Sequence, residues 1–141
     1  IPPLDMVKLL RKAEATETLI IGPDSPGLII PGQLLLGIQP SEFYTPGPVG
    51  IISRSGTLTY EIAYELTQAG LGQSIGVCIG EDTLVGSSFP QWLELLDEDD
   101  STEVIVLIGE IGGDSEEAAA HYIAAAIDKP VIAYVAGQTA P

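Results

Sequence analysis

Positive charge is scarce in this chain. Its 141 residues hold 5 Lys and Arg against 20 Asp and Glu, a formal net charge of −15. Such a surface repels polyanions, which argues against nucleic acid or an anionic membrane as a partner. It also means that any anion site must rely on backbone dipoles and a few placed cations. There is 1 cysteine, Cys78, inside an apolar run, so no internal disulfide can form and an intracellular setting is expected. No apolar run reaches the length of a membrane span, and no signal peptide is visible. The single histidine, His121, follows Glu117 by about one helical turn. No His, Cys and carboxylate set has metal-ligand spacing, and neither a Walker A motif nor a Gly-x-Gly-x-x-Gly after a strand is present. The chain opens on Ile1 and ends on Ala140-Pro141, so a fragment is expected.

What is present is a repeated strand–helix period after Pro48. Val49–Ile52, Ser74–Ile79, Glu103–Ile108 and Pro130–Val135 read as apolar strands. Gly56–Ala69, Phe89–Leu96 and Glu116–Ile127 read as the helices between them, the first with Leu58, Ile62, Leu66 and Ala69 on its core face. Strands without polar alternation, each followed by a helix, predict an α/β fold. The expectation is an open parallel sheet with helices on both faces, flavodoxin-like and cut short before its last elements. Right-handed crossovers gather the strands' C-terminal ends on one edge. There lie Ser53–Thr57, Gly80–Asp82, Gly109–Asp114 and Ala136–Pro141. Before Pro48 the pattern is irregular. Pro2–Ala13 reads as a helix with Leu4, Val7 and Leu10 on one face, and Leu19–Ile21 as a strand. Residues 22–47 read as an ordered linker with a hairpin-like excursion around Pro31-Gly32-Gln33.

The chain is organised around Gly50–Glu61. A buried strand stops, turns on Ser53-Arg54-Ser55-Gly56 and re-enters as a helix. A helix start leaves N–H groups without intrahelical partners and carries about half a positive charge. With hydroxyls at Ser55 and Thr57 and a cation at Arg54, one reading is a phosphate or carboxylate cradle. The other is an ordinary Ser-capped helix. Tyr60 lies in the first turn of that helix, off its core face. Glu110, in Gly109-Glu-Ile-Gly-Gly113, could orient an imidazole or hold a cation, or be a solvated side chain in a Gly-rich loop. His121 is expected on an outer helix face, and Cys78 buried and inert.

Six segments occur in a telling order. They are Gly22-Pro-Asp-Ser-Pro-Gly27, Pro31-Gly32, Ile52-Ser-Arg-Ser-Gly-Thr-Leu-Thr-Tyr-Glu61, Gly70-Leu-Gly-Gln-Ser74, Ile108-Gly-Glu-Ile-Gly-Gly113 and Ala136-Gly-Gln-Thr-Ala-Pro141. Together they resemble the α subunit of succinate–CoA ligase (ADP- or GDP-forming) over essentially the whole chain. The related ATP-citrate lyase shares Ser-Arg-Ser-Gly and Gly-Glu-Ile-Gly-Gly. The resemblance implies a remnant of a CoA-binding domain at residues 1–21 and a flavodoxin-like ligase domain at 48–141. It implies CoA and succinate as substrates, with ATP or GTP and Mg held by a β subunit, in the cytoplasm or a mitochondrial matrix.

By the same resemblance, Ser55, Gly56 and Thr57 match the helix start that holds a phosphoryl group. Ser55 and Tyr60 match the succinate site, Glu110 the glutamate that meets a phosphohistidine, and Ser25 a position near the CoA thiol. That histidine lies in the family just after Thr-Ala-Pro, so it is absent from this chain, which alone is expected to be inactive. Asp24 stands where Asn is usual, and Gly80-Glu81-Asp82 where Gly-Gly-Asp is usual. Two other readings stay open: a ligase-like paralogue that uses another acid or has a non-catalytic binding role, and a flavodoxin-like domain that binds a nucleotide or flavin.

Overall fold

The computed structural model describes residues 1–137 and 139. Helix α1 (Pro3–Ala15) is followed by strands β1 (Gly27–Ile30) and β2 (Leu34–Gly37). Then come β3 (Pro46–Ser53), α2 (Gly56–Gln68), β4 (Gln73–Cys78), α3 (Phe89–Glu98), β5 (Val104–Gly109), α4 (Ser115–Ala126) and β6 (Val131–Val135). The six strands among the described residues join one sheet in the order β2-β1-β4-β3-β5-β6. The β4-β3-β5-β6 part is parallel throughout, as the strand–helix period predicts.

The apolar runs do not alternate with polar residues because both sheet faces are covered. Leu28, Ile52, Val77, Ile105 and Leu107 face α3 and α4, where Phe89, Trp92, Leu93 and Leu96 complete one core cluster. Ile29, Ile51, Val106 and Ile108 face the other way and pack with Ala63 of α2. Each fully buried Ile or Leu side chain contributes about 1.5–3 kcal/mol, so neither face can be turned to water cheaply. On α2 the deepest positions are Thr59 and Ala63, with Leu58, Ile62 and Leu66 flanking them; Ala69, at the C-cap, is exposed. Small residues at the point of closest approach let the helix lie close to the sheet.

Three features of residues 1–47 differ from expectation. The 22–47 stretch does not merely link. Its hairpin, β1 with β2, docks on the sheet through antiparallel pairing of Leu28 with Val77 and Ile29 with Gly76. Leu19–Ile21 is not a strand, because β1 already occupies the β4 edge; only Ile21 packs on the core. On α1 the buried positions are Met6 and Ala13, while Leu4 is 78% exposed. At the opposite edge, β6 has Ile132 and Tyr134 exposed, unlike the buried strands beside it.

Candidate functional site

The parallel strands set the frame. Cys78, Ser53, Ile108 and Tyr134 are register partners in one row across β4, β3, β5 and β6. The candidate residues begin one position beyond that row. The connection from β3 turns toward β4 through α2, whereas the connection from β5 turns toward β6 through α4 on the other face. The crevice between the ends of β3 and β5 is therefore the topological switch point, where open α/β sheets bind ligands. Of the C-terminal-edge residues expected here, Gln138, Ala140 and Pro141 lie outside the described residues.

Ser55 is the N-cap of α2. Its extended backbone turns the chain, and its buried Oγ accepts from the Leu58 N–H at 3.5 Å. The Ser55 N–H donates to Ser53 Oγ at 2.9 Å, so it points into the turn rather than outward. The Gly56 N–H donates to Glu81 Oε1 at 3.3 Å. Thr57 is exposed, and its hydroxyl lies 3.4 Å from Ser55 Oγ. The Gly56 N–H at this helix start thus already carries a carboxylate of the chain itself.

Arg54, expected as the cradle's cation, turns the other way. Its Nη1 donates to Glu116 Oε1 at 2.9 Å, to Gly112 O at 3.0 Å and to Glu110 O at 3.4 Å. Glu116 Oε1 also accepts from the Glu110 N–H at 3.0 Å. Arg54 and Glu116 are only 13% and 15% exposed, and together they strap the Gly-rich loop after β5 to the end of β3. Gly109 is required for this. A Cβ there would stand 2.6 Å from Glu116 Cγ, displacing the carboxylate. Glu116 escaped the sequence reading. The available signals were its place in the first turn of a helix, where negative charge is favoured, and the side-chain-free Gly109 before it.

Glu110 is half-buried at the crevice, held there through its backbone contacts to Arg54 and Glu116. Tyr60 lies on the first turn of α2, its phenol pushed to higher pKa by burial and by Cys78. Ser25 reaches the same edge from the N-terminal loop. Its hydroxyl donates to Cys78 O and accepts from the Gly27 N–H, pinning that loop against the end of β4. Cys78 is fully buried and its thiol is pushed up to about 11, chiefly by burial. His121 is exposed on α4, on an outer face as expected. Among the described residues, no cluster of three His, Cys, Asp or Glu side chains could hold a metal ion. No helix among them is long and apolar enough to cross a membrane. A cavity of about 520 Å³ beside Gln73, Ser74 and Trp92 opens at the start of β4, at the far end of the sheet from these groups.

Residues 52–141 match the model of the CoA-ligase family. Over all 141 residues the chain is 50% identical to a succinate–CoA ligase [ADP-forming] subunit α 2 from Archaeoglobus fulgidus, and covers 49% of it. It is 47% identical to the corresponding α subunit from Staphylococcus aureus, again over its full length, and covers 47% of that protein. The chain thus spans about half the length of the curated relatives it matches. Among solved structures, ATP citrate lyase from Methanothrix soehngenii, in complex with citrate and coenzyme A, superposes with a TM-score of 0.87 at 26% identity. That match covers 98% of this chain and 24% of the lyase chain. A dinucleotide-forming acetyl-coenzyme A synthetase from Korarchaeum cryptofilum, in complex with phosphate and ADP, gives 0.77 at 25% identity, covering 95% of this chain and 29% of the other. A strand–turn–helix site at the switch point of a parallel sheet, in a chain matched by that family model over most of its length, leads to one conclusion: the chain belongs to the CoA-ligase family.

Proposed function

We propose that this chain is part of the α subunit of a succinate–CoA ligase, which joins succinate to CoA at the expense of ATP or GTP. The observation that carries the reading is the 50% identity, over the full length of the chain, to a protein of that name. The geometry supports it. In the ligase cycle a phosphoryl group passes through a histidine, and this chain supplies the surroundings of that group. Gly56 and Thr57 would receive the phosphoryl oxygens through backbone N–H groups at the positive end of α2, with the Thr57 hydroxyl beside them. These donors fit the group: Gly56 has no side chain, and the nearest atom to a Cβ there would be Pro26 Cδ at 3.6 Å. Ser55 shapes this start as its cap, and Tyr60 would meet the acid's carboxylate from the same turn. Glu110 would accept from the imidazole of the histidine, fixing its tautomer, with Arg54 and Glu116 holding Glu110 in place through the loop backbone. Ser25 would flank the CoA thiol.

On this reading residues 1–21 end a CoA-binding domain and 48–141 belong to the ligase domain. The sheet-forming hairpin between them ties the two. A β subunit carries the nucleotide and its Mg, and the setting is the cytoplasm or mitochondrial matrix. The one histidine of the 141-residue sequence, His121, lies on the outer face of α4, away from the cradle, where it cannot take up the phosphoryl group.

The test is labelling with γ-labelled ATP in the presence of the β subunit. The full parent protein should take up acid-labile, base-stable phosphate, and the 141-residue chain none. In the parent, Glu110→Gln should lower the labelling rate on the order of 100-fold, the size of a lost positioning group. Labelling of the short chain that His121→Ala abolishes would overturn this assignment. A parent that is never labelled would favour a paralogue with a binding role.

A further inference from the structure

We propose that Glu81 is an internal competitor for the anion site at the start of α2, so that a free anion binds there only by displacing this chain's own carboxylate. The inference rests on the cradle reading above and concerns its regulation. Of the first N–H groups at this helix start, Ser55 is bonded to Ser53 Oγ and Leu58 to Ser55 Oγ. Gly56 is one of the two donors assigned above to the anion, and it is the one that Glu81 Oε1 takes at 3.3 Å.

This contact joins residues far apart in sequence, and the turn carrying Glu81 is built to make it. The Gly22 N–H donates to Ile79 O at 3.2 Å, and the Gly86 N–H donates to Gly22 O at 2.8 Å, so the loop is anchored on both sides of Glu81. Between them, Gly80 has a φ of +108°, and a Cβ on it would stand 2.1 Å from Pro23 O. Only glycine fits there, and the following residue is delivered to the mouth of the cradle.

The charges sharpen the effect. Arg54 is turned away onto Glu116 and does not offset the carboxylate. A free phosphate therefore meets the exposed Glu81 carboxylate at the Gly56 N–H. A phosphoryl group carried on a docked side chain arrives at a high effective concentration and can displace an exposed carboxylate that free phosphate cannot. Glu81 thus makes the site selective for tethered over free phosphate.

The experiment uses the 141-residue chain with inorganic phosphate at low ionic strength, followed by the amide resonances of Gly56 and Thr57. Wild type, Glu81→Gly and Glu81→Gln are compared, with Asp82→Asn as the control that removes the adjacent charge. Without phosphate, Glu81→Gly should move the Gly56 amide resonance, and Asp82→Asn should not. On titration, Glu81→Gly should bind phosphate about threefold to fivefold more tightly than wild type, the range of one helix-terminus charge contact. Glu81→Gln should fall between them, and Asp82→Asn within about twofold of wild type. Equal affinity in wild type and Glu81→Gly overturns the competitor while leaving the cradle. So does a gain in Asp82→Asn as large as that in Glu81→Gly. Binding in neither protein overturns the cradle and the competitor together.

Discussion

Arg54→Met separates a structural role for the guanidinium from an anion-binding one. The wild-type group sits between the loop after β5 and the start of α4, with four oxygens within 3.4 Å of Nη1. Exposed ion pairs are worth about 0–1 kcal/mol, whereas truncating one partner of a buried pair costs about 3–5 kcal/mol. At 13% and 15% exposure this pair lies nearer the buried case. Methionine keeps most of the apolar stem but leaves Glu116 with one donor, the Glu110 N–H, and strands two loop carbonyls. We expect a loss of about 2–4 kcal/mol, or about 6–12 °C in Tm for a domain of this size. Glu116→Gln should cost less, about 1–2 kcal/mol, because its amide oxygen still accepts from Arg54 or Glu110. Arg54→Met with Glu116→Leu should recover much of the loss, since no charge is then left buried and unpaired. Urea unfolding with an unchanged m-value gives the energies, and hydrogen exchange at the Glu110 amide reports the strap locally. Measurement at about 0.15 M salt suppresses the general repulsion of this acidic chain. If Arg54→Met leaves stability within about 0.5 kcal/mol and instead abolishes phosphate shifts at Gly56 and Thr57, the guanidinium serves the anion and the strap is wrong.

Two further outcomes follow from the same contacts. Gly109→Ala should cost about 2–3 kcal/mol in wild type, through collision with Glu116 Cγ, and much less in a Glu116→Ala background; additive costs in a double-mutant cycle would refute the collision. The Cys78 thiol is held protonated by burial up to about pH 11, while an unfolded thiol ionises near 9.0. Below the unfolded value both states carry the proton and the stability is unaffected. As pH rises from there toward 11 the unfolded state loses its proton first, so stability falls by up to about 2–3 kcal/mol. The difference between wild type and Cys78→Ala isolates this from Tyr44 and Tyr60, whose phenols are also shifted upward by burial. A difference that stays constant from pH 8 to 10.5 would refute it.

How far the fold could be read depends on where each residue's partners lie. The strands β3, β4 and β5 are apolar on both faces because α2 covers one and α3 with α4 the other, and that leaves an unalternated run in the sequence. The antiparallel pairing of Ile29 with Gly76 leaves no such trace. Pairing energy there comes from matching a hairpin to a strand more than forty residues on, and Leu28–Ile30 reads equally well as a free-standing hairpin arm. Leu19–Ile21 shows the converse. Two β-favouring isoleucines beside a leucine form no strand where β1 already holds the β4 edge, since propensity yields to tertiary context.

The site divides along the same line, and its second half explains why adjacency in sequence misleads at a turn. Arg54, Ser55 and Gly56 are consecutive, so their cation, hydroxyl and N–H read as one cradle. Three successive residues at a strand–helix turn face three directions. Arg54, one residue past the last β3 position, reaches across the β5 loop to Glu116; Ser55 turns its Oγ inward as the cap; Gly56 alone presents its N–H to the β4 side. The strand order creates this split, since β3 has β5 on one side and β4 on the other, and no local pattern encodes strand order. Glu81 and Glu116 are the counterpart. Each is an unremarkable acidic residue in its own segment, and each becomes decisive because the sheet brings a neighbouring strand's loop to the end of β3. In a chain this acidic, the sign of the charge at the crevice is therefore set by which carboxylates the topology delivers there and which of them Arg54 has already claimed. Arg54 has claimed Glu116, and Glu81 is left facing the helix start.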